Sequence, residues 1–304
     1  MLFRSRDNMQ LAPYEYRIRI RGNAVAEGET RPNALLAMDS GIATGQLDGD
    51  KTKEPAFGLD AIWIDKSQRS RAETLNYTVV DPTSVVATHM TEVVKKHSEE
   101  LLTRDEVSNL IEGLRERAPK LVEEAVPAIV KMGDLQKILQ TLLRERVPIR
   151  DLETILEALA DWGTKTNDAD VLVEYVRNAL RRTICLQHTA PGEGGVPTLA
   201  CVTLDPSLED QINAYIDRGA EGTAVNMPAR VASEIAGRIG SALEQVTTAG
   251  RPPVVIASPQ VRAVVRQILD PHIPGVAVLG YNEVIPEIEV QSMALVMPAE
   301  TVAA

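Results

Sequence analysis

The residues best suited to proton transfer, metal binding or nucleophilic attack are the four histidines, His89, His97, His188 and His272, and the two cysteines, Cys185 and Cys201. Such chemistry needs fixed short spacings: HExxH sets two imidazoles on one helix face, CxxC pairs two thiols, GxSxG lifts a serine, and a Walker loop ends in Lys-Ser/Thr. None of these patterns occurs. The histidines are scattered, and the cysteines are too few and too irregularly placed for a disulfide framework or a zinc site, which fits a reducing compartment. The glycines of TAPGEGGVP, residues 189–197, lack the Lys-Ser/Thr ending and read as a linker or exposed turn. The charged run Arg144, Glu145, Arg146, Arg150 and Asp151 has no histidine, nucleophile or metal partner beside it, so Asp151 is not a persuasive catalytic carboxylate. A non-enzymatic chain with no metal and no cofactor is expected.

What remains is binding chemistry, concentrated in residues 54–89. Phe57, one of two phenylalanines, stands between Pro55 and Gly58 at a turn, where its ring either plugs the local core or lines an open pocket. Ala61, Ile62, Trp63 and Ile64 form the continuous apolar run of a buried strand, followed by a polar helix from Lys66 to Leu75. A second strand, Tyr77 to Val80, leads into Asp81-Pro82, a strong helix start. Aspartate accepts a first-turn amide, and proline has no amide to leave unpaired. Val85, Val86, Met90, Val93, Val94 and Leu101 then recur at helical spacing, so this helix buries one face, with Thr88 and His89 in its second turn.

The flanking sequence must hold this stretch in place. YEYRIRIR, residues 14–21, alternates as a half-buried strand with Tyr14, Tyr16, Ile18 and Ile20 on one face. Residues 22–53 read as strand, turn and irregular connection. At Thr103 the period becomes helical, with Thr103 and Glu106 as a capping box. Three amphipathic stripes follow: Leu135 to Leu143, Ile149 to Leu159 and Val171 to Leu180. Gly163 suits the end of the second helix, and Asn167 or Asp168 the cap of the third. The run Arg144 to Asp151 then lies at a joint between helices, where it reads as a hydrogen-bonded network.

Beyond residue 197, strands are expected at Leu199–Leu204, Val254–Ala257, Val276–Leu279 and Glu287–Val290. Helices are expected after Asp205-Pro206, over Val231–Val246 and after Ser258-Pro259. TVVDP, VTLDP and VVIASP share one construction: apolar strand, capping Asp or Ser, proline, then helix. The expected fold class is a mixed α/β and α multidomain chain, with small α/β domains, a central all-helical domain and a C-terminal α/β domain. The boundaries are 1–32 plus 82–102 for an N-terminally incomplete first α/β domain, 33–81 for an inserted small α/β domain, 103–182 for the helical domain and 183–304 for the last.

The chain of 304 residues carries a formal net charge of -11 at pH 7. That balance argues against nonspecific binding to nucleic acid or an anionic membrane. No apolar run approaches the roughly 20 residues that cross a bilayer, and the first ten residues hold no secretory apolar core, so the chain itself reads as soluble.

EPAFGL, AIWID, TVVDPTSVVATH, ELLTRDEV, QKILQTLLRERVPIRDLETILEALAD and EYVRNALRR occur in this order and spacing. Together they resemble the cytoplasmic part of the FlhA family of type III secretion export-gate proteins, from about Arg6 to Val290. TVVDPTSVVATH and DNMQL favour the flagellar branch over the virulence injectisome branch. The resemblance implies a docking platform for flagellar export chaperones with bound cargo, contacts with other export-apparatus proteins, and a homo-oligomeric ring. It also implies a place on the cytoplasmic face of the bacterial inner membrane, through a membrane domain upstream of this chain. Met1 is then either a cut within a longer protein or a native start.

In the family, chaperones bind an apolar dimple flanked by an acidic residue. The resemblance carries its acidic member to Glu54, its aromatic member to Phe57 and its threonine to Thr88, with Leu59, Val80 and Val85 as apolar walls. Glu54 stands where some relatives have aspartate. It also makes Arg144, Arg146, Arg150 and Asp151 candidates for contacts between subunits. An injectisome counterpart, or a purely structural ring module in which Phe57 and the apolar walls are ordinary core, are the alternatives.

Overall fold

The computed structural model describes residues 4–219 and 222–299. They fall into two compact units, one ending at Leu102 and one beginning at Thr103. The second unit starts where the helical period starts: the Thr103 hydroxyl accepts the Glu106 amide at 3.2 Å and caps the helix that follows.

The first unit opens with an antiparallel hairpin of β1 (Glu15–Ile20) and β2 (Asn23–Glu29). Arg21 and Gly22 turn it with φ of 49° and 87°, the two left-handed residues that a tight hairpin turn requires. Tyr16, Ile18 and Ile20 do share the more buried face, but Tyr14 lies before the strand, exposed, with φ 73°. The backbone turns there, and Tyr14 leaves the expected alternation.

A four-stranded sheet follows, in the order β4 (Asp50–Lys53), β5 (Asp60–Asp65), β3 (Ala34–Met38), β6 (Thr78–Val80). Residues 22–53, expected as strand, turn and irregular connection, supply three strands, including β3 in the interior of this sheet. Successive residues serve opposite faces. Leu35, Ala37 and Ile64 pack with Ala72 of α1 (Arg69–Thr74), while Leu36, Ala61 and Trp63 pack with Val85 of α2 (Pro82–Lys96). Cover on both faces explains why Ala61–Ile64 is apolar without alternation. The helix expected from Lys66 begins as a single 3-10 turn, Lys66–Gln68, before α1. Oδ1 of Asp81 accepts the amides of Thr83 and Ser84, each at 3.0 Å, and Pro82 occupies the first helical position of α2. A short α3 (Ser98–Leu101) ends the unit.

In the second unit α4 (Arg104–Arg115), α5 (Pro119–Ala125), α6 (Met132–Arg144), α7 (Leu152–Gly163), α8 (Ala169–Ala179) and α9 (Arg181–Gln187) come first. Leu135, Ile138, Leu139 and Leu142 of α6, Leu152, Ile155, Leu156 and Leu159 of α7, and Leu172 and Val176 of α8 are all buried, and α8 packs against both α6 and α7. Gly163 is needed for closeness rather than for a left-handed cap: a Cβ there would lie 2.6 Å from Ile129 Cγ2. Asp168 caps α8 through the amides of Asp170 and Val171.

An α/β layer completes the unit: β7 (Ala190–Pro191), β8 (Pro197–Leu204), α10 (Pro206–Asn213), β9 (Ile216–Gly219), β10 (Gly222–Val225), α11 (Ala229–Thr248), β11 (Val254–Ala257), α12 (Arg262–Leu269), β12 (Ala277–Gly280) and β13 (Glu289–Val296). The sheet order is β12-β11-β8-β13, all parallel, with β7 antiparallel to the start of β8. Three sequence expectations change here. Ile216–Gly219 and Gly222–Val225 pair as the unforeseen antiparallel strands β9 and β10. The last strand extends to Val296 instead of stopping at Val290. Ser258-Pro259 opens a turn before the helix: the Ser258 carbonyl accepts the amides of Val261 at 3.1 Å and Arg262 at 3.0 Å, and regular α12 begins only at Arg262, three residues after the proline.

Candidate functional site

Residues 54–59 form a closed turn. The Glu54 amide donates to the Leu59 carbonyl and the Gly58 amide to the Glu54 carbonyl, each at 2.9 Å. Gly58 has φ 72°, a left-handed conformation that costs glycine nothing. Inside the turn, Glu54 Oε1 accepts the Ala56 amide at 2.9 Å and Oε2 accepts the Phe57 amide at 2.6 Å. Glu54 is 3% exposed, whereas Phe57 is 62% exposed and Leu59 is 37% exposed. A buried carboxylate therefore holds a large apolar ring out toward solvent. Glu54, the expected acidic member of the dimple, engages each of its oxygens with an amide of its own turn.

Beneath the turn, Val85 is buried with Leu36, Ala61 and Trp63, and Val80 packs against this cluster. Val85 is thus floor rather than open wall. Thr88 is exposed on α2, and its neighbour His89 is buried. His89 Nδ1 lies 2.8 Å from the Tyr16 hydroxyl, with the rings edge-on at 5.7 Å between centroids. Burial holds the His89 imidazole below its ordinary pKa, with the Glu54 charge pulling the other way. Burial, aided by Glu54, pushes the Tyr16 phenol up to about 12. Beside the turn is a cavity of about 400 Å³ lined by Glu27, Glu29, Leu36, Thr52, Glu54 and Trp63, among others. The buried Trp63 Nε1 has no partner among the described residues.

The structure therefore joins Glu54, Phe57 and Leu59 through one turn, and Val80 and Val85 through one apolar cluster. Tyr16, His89 and Trp63 belong to the same region and were not selected as site residues from the sequence. The dipeptide Thr88-His89 and the position of Tyr16 on the inner face of its strand were the available signals.

The charged run at the end of α6 divides differently. Glu145 Oε2 accepts Arg177 Nη1 at 2.6 Å and Arg262 Nη1 at 2.7 Å. Arg177 also donates from Nε and Nη2 to the two oxygens of Glu283 at 2.7 and 2.8 Å, and Arg262 donates to Glu174. Burial alone would raise the Glu145 pKa, but Arg262 and Arg177 hold it below the ordinary carboxylate value. Arg144, Arg146 and Arg150 are exposed, and Asp151 caps α7 by accepting the Thr154 amide and hydroxyl. The two thiols are buried, and burial pushes the Cys201 thiol up to about 11, away from reactivity. Among the described residues, no group of three or more His, Cys, Asp or Glu could hold a metal, and no helix is long and apolar enough to cross a membrane.

The order of segments from the Glu54 turn to the β13 strand has relatives. A family model described as the FHIPEP family matches residues 2–289. The chain belongs to the FHIPEP family. It is 40% identical over 293 residues to the flagellar biosynthesis protein FlhA of Bacillus subtilis (strain 168), covering 96% of this chain and 43% of that protein. The chain thus spans about two-fifths of the length of the curated relatives it matches. Among solved FHIPEP-like structures, the CdsV protein of Chlamydia pneumoniae matches with a TM-score of 0.83 and 26% identity, over 95% of this chain and 82% of that one. CdsV has also been solved in complex with CdsO. The nonameric EPEC SctV-C, solved by cryo-EM, shares the fold at a TM-score of 0.74 and 22% identity, over 95% of this chain and 85% of that one.

Proposed function

We propose that this chain is a docking platform of a flagellar type III protein export gate, receiving export chaperones with bound cargo on the face formed by Phe57, Leu59 and Thr88. The observation that carries this reading is the Phe57 ring, 62% exposed on a turn that Glu54 fixes from within. A ring already held outward loses little conformational freedom on binding, and covering its exposed part is worth about 1–2 kcal/mol. An apolar chaperone segment takes Phe57 and Leu59, Thr88 offers a hydroxyl, and Glu54 acts by setting the turn. Val80 and Val85 support the face from below. The flagellar assignment is supported by the 40% identity to a flagellar relative, against 26% to CdsV.

The wider setting belongs to the same proposal. The chain acts at the cytoplasmic face of the inner membrane as part of a longer protein, in a ring of copies, with Arg144, Arg146, Arg150 and Asp151 at the contact between neighbours. The four-part division at 32/33, 81/82, 102/103 and 182/183 is proposed for its internal organisation. Calorimetric titration with a flagellar chaperone–cargo complex tests the docking site, using the parent chain and a Phe57→Ala variant whose fold is checked by circular dichroism. Binding by the parent and its loss in the folded variant are expected. Equal binding by both would move the site elsewhere.

A further inference from the structure

The second unit contains a cleft of about 540 Å³ between its helical layer and its α/β layer, within the roughly 300–1,000 Å³ range of ligand sites. One wall is Val171 and its neighbours on α8, and the other is formed by Ile216 and Arg218 of β9, Val225 of β10 and the exposed side of α12. The apolar lining is half-buried at Val171, Ile216 and Val225, so it can take further apolar cover.

Two guanidinium groups on this lining are incompletely neutralised among the described residues. Arg266, 11% exposed, pairs with Asp270 through Nη2 at 2.7 Å, yet its Nη1 is buried without a hydrogen-bond partner among the described residues. An unmade bond on a buried cation is among the costlier omissions in a fold. Arg218 donates Nη1 to Asn213 Oδ1 at 3.0 Å and Nη2 to the Gln260 carbonyl at 2.7 Å, both neutral acceptors. By contrast, Arg262, deeper in the same lining, is saturated by Glu145 and Glu174.

We propose that this cleft binds a short peptide segment of a partner protein, taking a carboxylate side chain on Arg266 and Arg218 and adjacent apolar side chains on Val171, Ile216 and Val225. Arg266 lines the cleft, and its Nη1 is the donor left for the incoming oxygen. A nucleotide or other polyphosphate fits less well, because Asp170, Glu174 and Asp270 also line the cleft and repel a multiply charged anion. A single carboxylate between aliphatic neighbours matches the two cations and the apolar walls. Of the lining acids, Glu145 and Glu174 are paired with Arg262 and Asp270 with Arg266, which leaves Asp170 to oppose it. Burial and the nearby Asp168 and Glu145 charges raise its pKa, so it yields its charge more easily than an ordinary aspartate.

The test uses the full chain with isotope-labelled Ile and Val methyl groups, at low salt. The probe is an acetylated, amidated hexapeptide of alternating Leu and Glu, beside versions with Gln or Lys in place of Glu. Saturable shifts of the Ile216, Val171 and Val225 methyls by the Glu peptide are expected, with the Gln peptide about tenfold weaker or more. Arg218→Gln, on the surface, and Arg266→Gln should each weaken the Glu peptide, and Asp170→Asn should tighten it. Arg218→Gln keeps the test decisive if Arg266→Gln fails to fold. No saturable shift at millimolar peptide, equal affinity for Glu and Gln peptides, preference for the Lys peptide, or parental affinity in Arg218→Gln would each overturn the proposal.

Discussion

The Tyr16 hydroxyl and His89 Nδ1, 2.8 Å apart, tie β1 to α2 across 73 residues of sequence. Tyr16→Phe keeps the ring packing and removes the hydroxyl, leaving a buried imidazole nitrogen without that partner. A loss of about 1–3 kcal/mol of stability is expected, read from the midpoint of urea unfolding. An unchanged midpoint would mean that the contact contributes nothing to the fold.

The same imidazole predicts a pH dependence. Its folded pKa lies below the ordinary value of 6.5, so the unfolded chain takes up the proton first as the solution is acidified. The contribution is fully present above pH 6.5 and is lost as pH falls through the folded value. Unfolding free energies of parent and His89→Gln, compared between pH 7.5 and 5, should show a smaller decline in the variant. Equal declines would assign the acid sensitivity to other groups.

Glu54→Gln tests how the Phe57 turn is held. The amide side chain keeps one acceptor oxygen where the carboxylate had two, so either the Ala56 or the Phe57 amide loses its bond. Faster hydrogen exchange at these amides is expected, with about 1 kcal/mol less stability. Binding of the chaperone–cargo complex should weaken although the Phe57 side chain is untouched. Parental exchange rates at both amides would show that the turn holds itself.

Glu145→Ala leaves Arg177 and Arg262 without their shared acceptor, and a loss of about 3–5 kcal/mol is expected by chemical denaturation. Because the Glu145 carboxyl is held below its ordinary value of 4.5, its contribution is present above that pH and declines as pH falls toward the folded value. A loss below 1 kcal/mol would mean that water or a neighbouring side chain replaces Glu145.

Two glycine substitutions separate crowding from backbone strain. Gly163→Ala places a methyl 2.6 Å from Ile129 Cγ2 and should cost about 1–3 kcal/mol by overpacking. Gly58→Ala meets nothing within 4 Å and should cost about 1–2 kcal/mol through its φ of 72° alone. Measured in an Ile129→Ala background, which lacks Cγ2, the first loss should be recovered in part and the second not at all. Equal recovery would contradict the crowding account.

Features set by local chemistry were legible in the sequence. Asp81-Pro82 and Asp205-Pro206 begin helices because cap and proline act within one turn. Ser258-Pro259 looks alike but leads first into a turn, with α12 regular only from Arg262, and the Ser258 amide is taken by Glu209, a side chain 49 residues away that no local pattern reveals. Arg177 reads as one more polar residue in EYVRNALRR, and its burial depends on Glu283, 106 residues distant. At the candidate site, Phe57 and Gly58 announced a turn. Whether the ring faced in or out depended on the Glu54 carboxylate, whose direction no spacing reveals.

The sheet order gives β13 a role in how the chain matures during synthesis. This strand flanks β8 along nearly its whole length, from Thr198 to Leu204, yet emerges from the ribosome more than 80 residues after it. Until then that side of β8 is an uncovered edge of apolar backbone, the kind that recruits foreign strands. Completion of the second unit is therefore coupled to translation of its last strand, and a nascent chain halted near Ile288 would carry an adhesive edge.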